Sequence, residues 1–328
     1  MYCSRLVKKD TSTTQKMTIE SCLWQLRTMI WTAEYDFWKL CSLFTNFNTK
    51  HEMNFLIALT TVLIMAINFS ASAQSLEKYL KELDPEIMVS LKLQNQQREV
   101  LFERNGNKVV PSASLIKIPI LLSLLKEVDR KNIKLNSKYT LQPEDIIGGS
   151  GDLQYEIPFK KLTYNYLAQK MISVSDNTAT NILINKIGAE KIQNSINLYE
   201  LSNTKLNRKM MDFEAIKAGK QNFTTCEDMN GLLINLLNQQ LLFKKSGKKA
   251  MEILLACEDR TTIPRNIPVN IPIAHKTGIL DYVRGDAGII FSKNILILTV
   301  FVENFESLEQ AETIIGKIAE YAYNDFGQ

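Results

Sequence analysis

Apolar and polar positions alternate with a period of two over Glu86–Leu93 (EIMVSLKL) and Glu99–Arg104, which predicts two strands with a turn at Gly106 and Asn107. A short helix over Ser75–Leu83 precedes them. The pattern then becomes helical. Ser114–Val128 reads as an apolar helix, Thr163–Ser173 opens on Thr163 as N-cap, and Thr178–Ile187 runs into Gly188, a residue suited to ending a helix. Thr225-Cys226-Glu227-Asp228 has the form of a capping box ahead of a helix over Met229–Asn238. Strands return at Ile271–Lys276, Gly285–Ser292 and Ile295–Val302, and an amphipathic helix closes the chain from Ser307 to about Tyr323. This order predicts an α+β fold, an α/β sandwich. Both ends of the chain would build a five-stranded antiparallel sheet with terminal helices, around an inserted all-α domain.

The most apolar window, Phe55–Phe69, is short for a membrane span and is followed by Ser70-Ala71-Ser72-Ala73-Gln74. Small residues at Ala71 and Ala73 make an A-x-A cleavage site, so residues 53–73 read as a secretory signal peptide starting at Met53. Residues 1–52 then form a doubtful N-terminal extension; the alternative is a true extension with Phe55–Phe69 as a signal anchor. Within residues 74–328, residues 74–113 and 271–328 would form the α/β part and residues 114–270 the helical part. The expected location is export, to a periplasm or the medium, with no stable membrane span after cleavage.

Charge and cysteine narrow the choice of partners. A net charge of +4 spread along the chain does not argue for nucleic acid, and Lys244–Lys249 reads as a solvated turn between two helices. Cys3, Cys22 and Cys41 fall in the extension, which leaves Cys226 and Cys257, too few for a disulfide framework: two buried free thiols are expected, with a single bridge as the alternative. Hydrophobic residues at 45 % and charged residues at 23 % fit a globular protein with a sizeable core, expected to be a monomer.

Three short strings carry the candidate chemistry: Ser114-Leu115-Ile116-Lys117, Ser175-Asp176-Asn177 and Lys276-Thr277-Gly278, separated by 61 and 101 residues. Lys117 lies one helical turn after Ser114 on the same face. A serine hydroxyl becomes a nucleophile when a base takes its proton, and a lysine can be that base once burial and nearby cations lower its pKa. Lys276 could supply such a field. The helix N-terminus beneath Ser114 offers N–H groups to a developing oxyanion. Lys276 and Thr277 at a sheet edge could hold a substrate carboxylate, with Gly278 leaving room for the substrate to approach the backbone. The only histidine after residue 73 is His275, too few for a zinc site and read as structural.

The three strings together resemble the class A β-lactamases and the penicillin-binding proteins over nearly all of residues 74–328. The resemblance implies a serine hydrolase that opens a β-lactam amide through a Ser114 acyl-enzyme, with no metal or organic cofactor. It implies catalytic roles for Ser114, Lys117, Ser175 and Lys276, substrate contacts at Asn177, Thr277, Gly278 and Ile279, and a structural Asp176. The oxyanion would be held by the N–H groups of Ser114 and Ile279. The Gly-Ser-Gly element within Ile147–Gln154 would line the site. One departure stands out. The family's Ω-loop pattern Arg-x-Glu-x-x-x-Asn begins at Arg208, but Met210 occupies the place of the glutamate and Glu214 that of the asparagine. Asp212 or Glu214 is then the candidate base for deacylation, which is expected to be slow. The alternatives are a cell-wall D-Ala-D-Ala peptidase acting on a peptidoglycan-like substrate, another serine acyl hydrolase, or a penicillin-binding sensor that stays acylated.

Overall fold

The computed structural model describes residues 75–328. The signal-peptide reading, the extension with its three cysteines and the Ala73 cleavage site lie outside the described residues.

Helix α1 (75–81) leads into β1 (Met88–Asn95) and β2 (Val100–Arg104), and the chain returns to the same sheet much later through β7 (Ile273–Leu280), β8 (Val283–Ile290) and β9 (Leu296–Glu303). The order is β2-β1-β9-β8-β7 and every neighbour is antiparallel. Helix α9 (Leu308–Phe326), with Ser307 Oγ accepting from Gln310 N as its N-cap, closes the chain. The expected architecture is therefore present, with the sheet assembled from both ends.

The sheet is covered on both faces, and β9 shows how. Leu296, Leu298, Val300 and Val302 join Leu76, Leu80, Ile315 and Ile318 of the terminal helices, while Ile297 and Phe301 join the core of the helical half. Between those two, Thr299 donates to Asn230 Oδ1 at 2.8 Å, and Asn230 Nδ2 donates to the Lys92 and Ile297 carbonyls. A buried amide thus ties the helical half to the sheet with its hydrogen bonds satisfied, the condition under which a polar core residue is tolerated.

The helical half is built on α2 (Lys117–Asp129), whose Ile118, Ile120, Leu121, Leu122, Leu124 and Leu125 are all buried. Against it pack α3 (Tyr164–Ser173), α4 (Asn177–Ile187), α5 (Ala189–Leu198) and α8 (Lys244–Leu255), and α6 (Phe213–Lys217) and α7 (Cys226–Leu237) complete this half. Two-stranded ribbons join β3 (Val110–Pro111) to β6 (Phe223–Thr224) and β4 (Lys138–Thr140) to β5 (Lys161–Thr163). The first ribbon, extended by Ser112 N donating to Asn222 O at 2.9 Å, ties the approach to Ser114 to the segment that follows residue 208.

Several expectations are corrected in detail. Lys244–Lys249 is the start of α8 rather than a solvated turn. Asp129 of α2 accepts from Phe243 N and Ser246 Oγ, so a carboxylate from another helix caps α8, while Lys244, Lys245 and Lys248 stay exposed. Helix α7 begins at Cys226 because Thr225 is its N-cap, accepting from Asp228 N at 3.0 Å. The box stays half-closed, since the Asp228 carboxylate accepts instead from Asn203 N and Thr204 Oγ1. Helix α5 was not anticipated: Ile192 and Ile196 are its only buried residues, too narrow a stripe to read as a helix. Strand β7 runs on through Thr277 and Gly278 to Leu280 rather than ending at Lys276. Cys226 is buried and free; Cys257 is free but only half-buried.

Candidate active site

Ser114 sits in a single 3₁₀ turn, Ala113–Ile116, that feeds directly into α2. Ala113 before it has φ 45°, a left-handed conformation that an alanine adopts only when its surroundings impose it. One turn on, Lys117 is fully buried and donates to three oxygens: Ser175 O at 2.7 Å, Asn177 Oδ1 at 3.0 Å and Ser175 Oγ at 3.1 Å. Ser175 Oγ in turn donates to Ser114 Oγ at 2.9 Å. Burial, and secondarily the positive charge of Lys276, hold the Lys117 amine well below its usual range, against an opposing contribution from Asp176.

The turn between α3 and α4 makes this arrangement possible. Ser175 has φ 57°, and its carbonyl and hydroxyl both reach Lys117. Asp176 is wholly buried and does not face the cleft chemistry: it N-caps α4 through Ala179 N at 2.7 Å and accepts from Leu153 N at 2.8 Å. That fits the structural part expected of it. The glycine loop packs against the same turn. A Cβ on Gly151 would lie 2.2 Å from Asp176 Oδ2, and Gly148 O and Ser150 O accept from Asn177 Nδ2 and Asn177 N.

From the other side, β7 brings Lys276, Thr277, Gly278 and Ile279 to Ser114. Lys276 is buried and donates to Thr277 O at 2.8 Å; burial lowers its pKa, and Arg284 lowers it further, while Cys257, Asp286 and Asp259 oppose the shift. A Cβ on Gly278 would lie 2.8 Å from Leu115 Cδ1, 2.9 Å from Ala113 Cβ and 3.0 Å from Ser114 N. Strand and helix N-terminus therefore touch backbone to backbone, and only glycine fits between them. A cleft of about 360 Å³ opens there, lined by Ser114, Ser150, Ser175, Lys276, Thr277 and Ile279 among others. All eight expected catalytic and substrate-contact residues gather around it, Lys117 and Asn177 just behind its wall.

The two candidate deacylation bases do not gather there. Asp212 is committed as the N-cap of α6, accepting from Ala215 N at 3.0 Å, and the Glu214 side chain is 84 % exposed and paired with Lys217. Neither lines the cleft. Met210 is buried, held at both its N–H and its carbonyl by the side chain of Asn181. Met211, at φ 59°, packs its sulfur toward Gly149 beside Asn177. The loop neck is clasped by Arg208, whose Nε and Nη2 both donate to Gln221 Oε1, and by Asn222 Oδ1, which accepts from Asn207 N and Arg208 N.

Sequence reasoning missed Asn181, although it lies one helical turn beyond Asn177. It also missed Asp286. His275 Nδ1 lies 3.0 Å from Asp286 Oδ2, which further accepts from Thr262 Oγ1 and Ile263 N. Burial would lower the His275 pKa, but Asp286 outweighs it and pushes it up to about 10. Arg284, which also lines the cleft, is buried against Asp259, Thr261 and Glu312. Among the described residues no group of three His, Cys, Asp or Glu side chains is placed to hold a metal.

The sequence profile of the β-lactamase enzyme family matches residues 71–326, and the chain belongs to that family. It is thereby a member of the serine β-lactamase class. The β-lactamase VEB-1 of Pseudomonas aeruginosa is 29 % identical over 269 residues, covering 76 % of this chain and 88 % of that protein. The crystal structure of a β-lactamase from Sphaerobacter thermophilus superposes with a TM-score of 0.70 at 27 % identity, covering 78 % of this chain and 96 % of the other. PBP-A superposes with a TM-score of 0.71 at 26 % identity and the same coverage. A leucine-to-glutamate mutant of PBP-A, equally similar, was solved as an acyl-enzyme complex with penicillin G.

Two stability measurements test this geometry. Gly278→Ala should lower the urea-unfolding free energy by about 1–3 kcal/mol, the usual cost of overpacking; an unchanged midpoint would mean that the strand and helix are not in contact. The His275–Asp286 pair raises the folded-state pKa of the imidazole above its ordinary 6.5. Its contribution is therefore full below 6.5 and fades as pH rises through about 10. Asp286→Asn should destabilise the protein at acid and neutral pH, and the difference from wild type should narrow above pH 10. A gap that widens with pH would contradict the pairing.

Proposed function

We propose that the protein is an exported serine hydrolase that opens β-lactam rings through a Ser114 acyl-enzyme and releases the product slowly. The observation that carries this reading is the hydrogen-bonded series from Ser114 through Ser175 to a buried, pKa-depressed Lys117. With the Lys117 amine neutral, the donors in that series reverse: Ser114 O–H donates to Ser175, and Ser175 O–H to Lys117. Ser114 Oγ attacks the amide carbon as its proton passes to Lys117. The oxyanion is met by the N–H groups of Ser114 and Ile279. The C–N bond breaks as Ser175 hands a proton to the leaving nitrogen and regains one from Lys117, leaving the acyl group on Ser114. Lys276, Thr277 and Asn177 would hold the substrate carboxylate and amide. The A-x-A site after Phe55–Phe69 supports export.

Slow release is argued from Met210. A thioether cannot take a proton from water, and the nearest loop carboxylates are engaged elsewhere. The same feature, together with the likeness to PBP-A, supports a second reading, in which the natural substrate is a cell-wall D-Ala-D-Ala peptide and β-lactams merely trap the enzyme.

A fluorescent penicillin time course with the purified chain separates these. Wild type should label with one equivalent at Ser114 and lose the label slowly, and Ser114→Ala should not label at all. Met210→Glu should speed loss of label by about 10²–10⁴-fold, the usual worth of general-base assistance. Label that disappears within seconds from wild type would contradict slow release; label that never forms, with turnover of a D-Ala-D-Ala peptide, would favour the second reading. Label that persists in Ser114→Ala would overturn both.

A further inference from the structure

Four side chains in the lining of the cleft carry charge: Glu258, Asp259, Lys276 and Arg284. Arg284 and Asp259 offset each other. Arg284 Nη2 donates to Asp259 Oδ2 at 2.7 Å, Glu312 Oε1 at 2.8 Å and Thr261 Oγ1 at 2.9 Å, and Nη1 reaches Gly278 O at 3.4 Å. A buried guanidinium with both amino groups so engaged, and only Nε without a partner, has little left to offer a ligand. Lys276 is the cation assigned above to the substrate carboxylate. That leaves Glu258. It is exposed, and among the described residues no ion pair or side-chain hydrogen bond engages its carboxylate. Lys170 bears on it electrostatically but donates its own hydrogen bond to Asp152 at 2.5 Å. Arg260, two residues on, is exposed and does not line the cleft.

The backbone that carries Glu258 is held from two sides. Glu258 N donates to Ser173 O at 3.0 Å, at the end of α3 and two residues before Ser175. Asp259 beside it is clamped to β8 through Arg284. Arg284 also ties this segment to β7, because it donates to the Gly278 carbonyl as well as to Asp259. Glu258 therefore enters the lining from the side on which β7 presents Lys276 and Thr277.

We propose that Glu258 selects substrates that carry a cation next to the carboxylate taken by Lys276 and Thr277, so that the cleft favours zwitterionic acyl donors over singly anionic ones. This selectivity rests on the acyl-enzyme reading at Ser114. In a bicyclic β-lactam the cation belongs on the ring carbon beside the one that bears the carboxylate. An exposed carboxylate is a weak partner, because water screens it and salt screens it further. The selectivity is accordingly modest, sensitive to ionic strength and reversed by a change of sign at this position.

Cephaloridine and cephalothin provide a matched pair of probes. They share one ring system and one acyl side chain; the first carries a pyridinium beside the carboxylate, the second a neutral acetoxy group. Acylation rate constants for both are measured on the full-length protein, by competition with fluorescent penicillin, for wild type, Glu258→Gln and Glu258→Lys. The ratio of the two rates cancels any difference in folding or active fraction between the proteins. The cephaloridine-to-cephalothin ratio should fall about twofold to fivefold from wild type to Glu258→Gln, the worth of an exposed ion pair, and further in Glu258→Lys. In about 1 M salt, where the screening length shrinks to about 3 Å, the three ratios should converge. Equal ratios in all three proteins at low salt, with Ser114 labelled normally, would overturn the selectivity and leave the Ser114 reading standing. Wild type that takes neither the cephalosporins nor the penicillin would overturn the Ser114 reading and the selectivity with it.

Discussion

A lysine amine cut off from water and surrounded by acceptors is the constraint around which this site is built. Lys117 is wholly buried at the start of α2, and its three hydrogen bonds all go to the turn between α3 and α4. Burying an ammonium costs several kcal/mol unless it is paired, and no carboxylate accepts a hydrogen bond from this one. Deprotonation relieves that cost, so the fold itself favours the basic form. Strained backbone flanks this group. Ala113 and Ser175 hold left-handed backbone on either side of it, and Gly278 is pressed against Ser114 N with no room for a methyl group. The rest of the fold keeps these elements from relaxing: Asp176 pins the turn, the β3–β6 ribbon pins the approach to Ser114, and β8 pins β7.

Much of this was legible in the sequence, for identifiable reasons. Period-two alternation located β1 and β2, the other three strands of the main sheet were placed to within a few residues, and Thr163, Gly188, Thr225 and Ser307 stand at the helix ends where their side chains or conformations are needed. The three short motifs named residues that the fold brings together from three separate elements. What was not legible is pairing at a distance. Nothing in the local pattern says that Asp129 caps α8, that Asp228 turns away from its own capping box, or that Asp286 reaches His275 across the ladder. Nor could spacing show that Asp212 would be used up in capping a short helix. Each of these is a polar side chain whose partner is chosen by tertiary packing, and a one-dimensional pattern has no access to that choice.

In the proposed mechanism, the loop after Arg208 separates acylation from release. Acylation would need the nucleophile, a proton acceptor and oxyanion donors, and the candidates sit on the 3₁₀ turn before α2, the first residue of α2, β7 and the Ser175 turn. Release would need a base for water, and the residue that stands where the family pattern has glutamate is Met210, locked through its backbone by Asn181. The loop is well anchored, with Arg208 clasping Gln221 and Asn222 accepting from two backbone amides. A firmly held apolar side chain, rather than a loosely placed carboxylate, is what distinguishes this chain from the family pattern. The sheet side of the cleft is dense in charge, with Lys276, the His275–Asp286 pair and the Arg284–Asp259 pair buried or half-buried.

The account rests on Lys117 being neutral when it meets the substrate, and its titration tests that most directly. The Lys117 Cε signal can be followed by ¹H–¹³C NMR in protein carrying ¹³C-lysine and assigned by comparison with Lys117→Arg, while the rate of acylation by a β-lactam is measured over the same pH range. The account predicts a midpoint below the ordinary 10.5, and an acylation rate that rises with pH through that same midpoint. A lysine that titrates at or above 10.5, or an acylation rate that stays flat while Lys117 titrates, would contradict it.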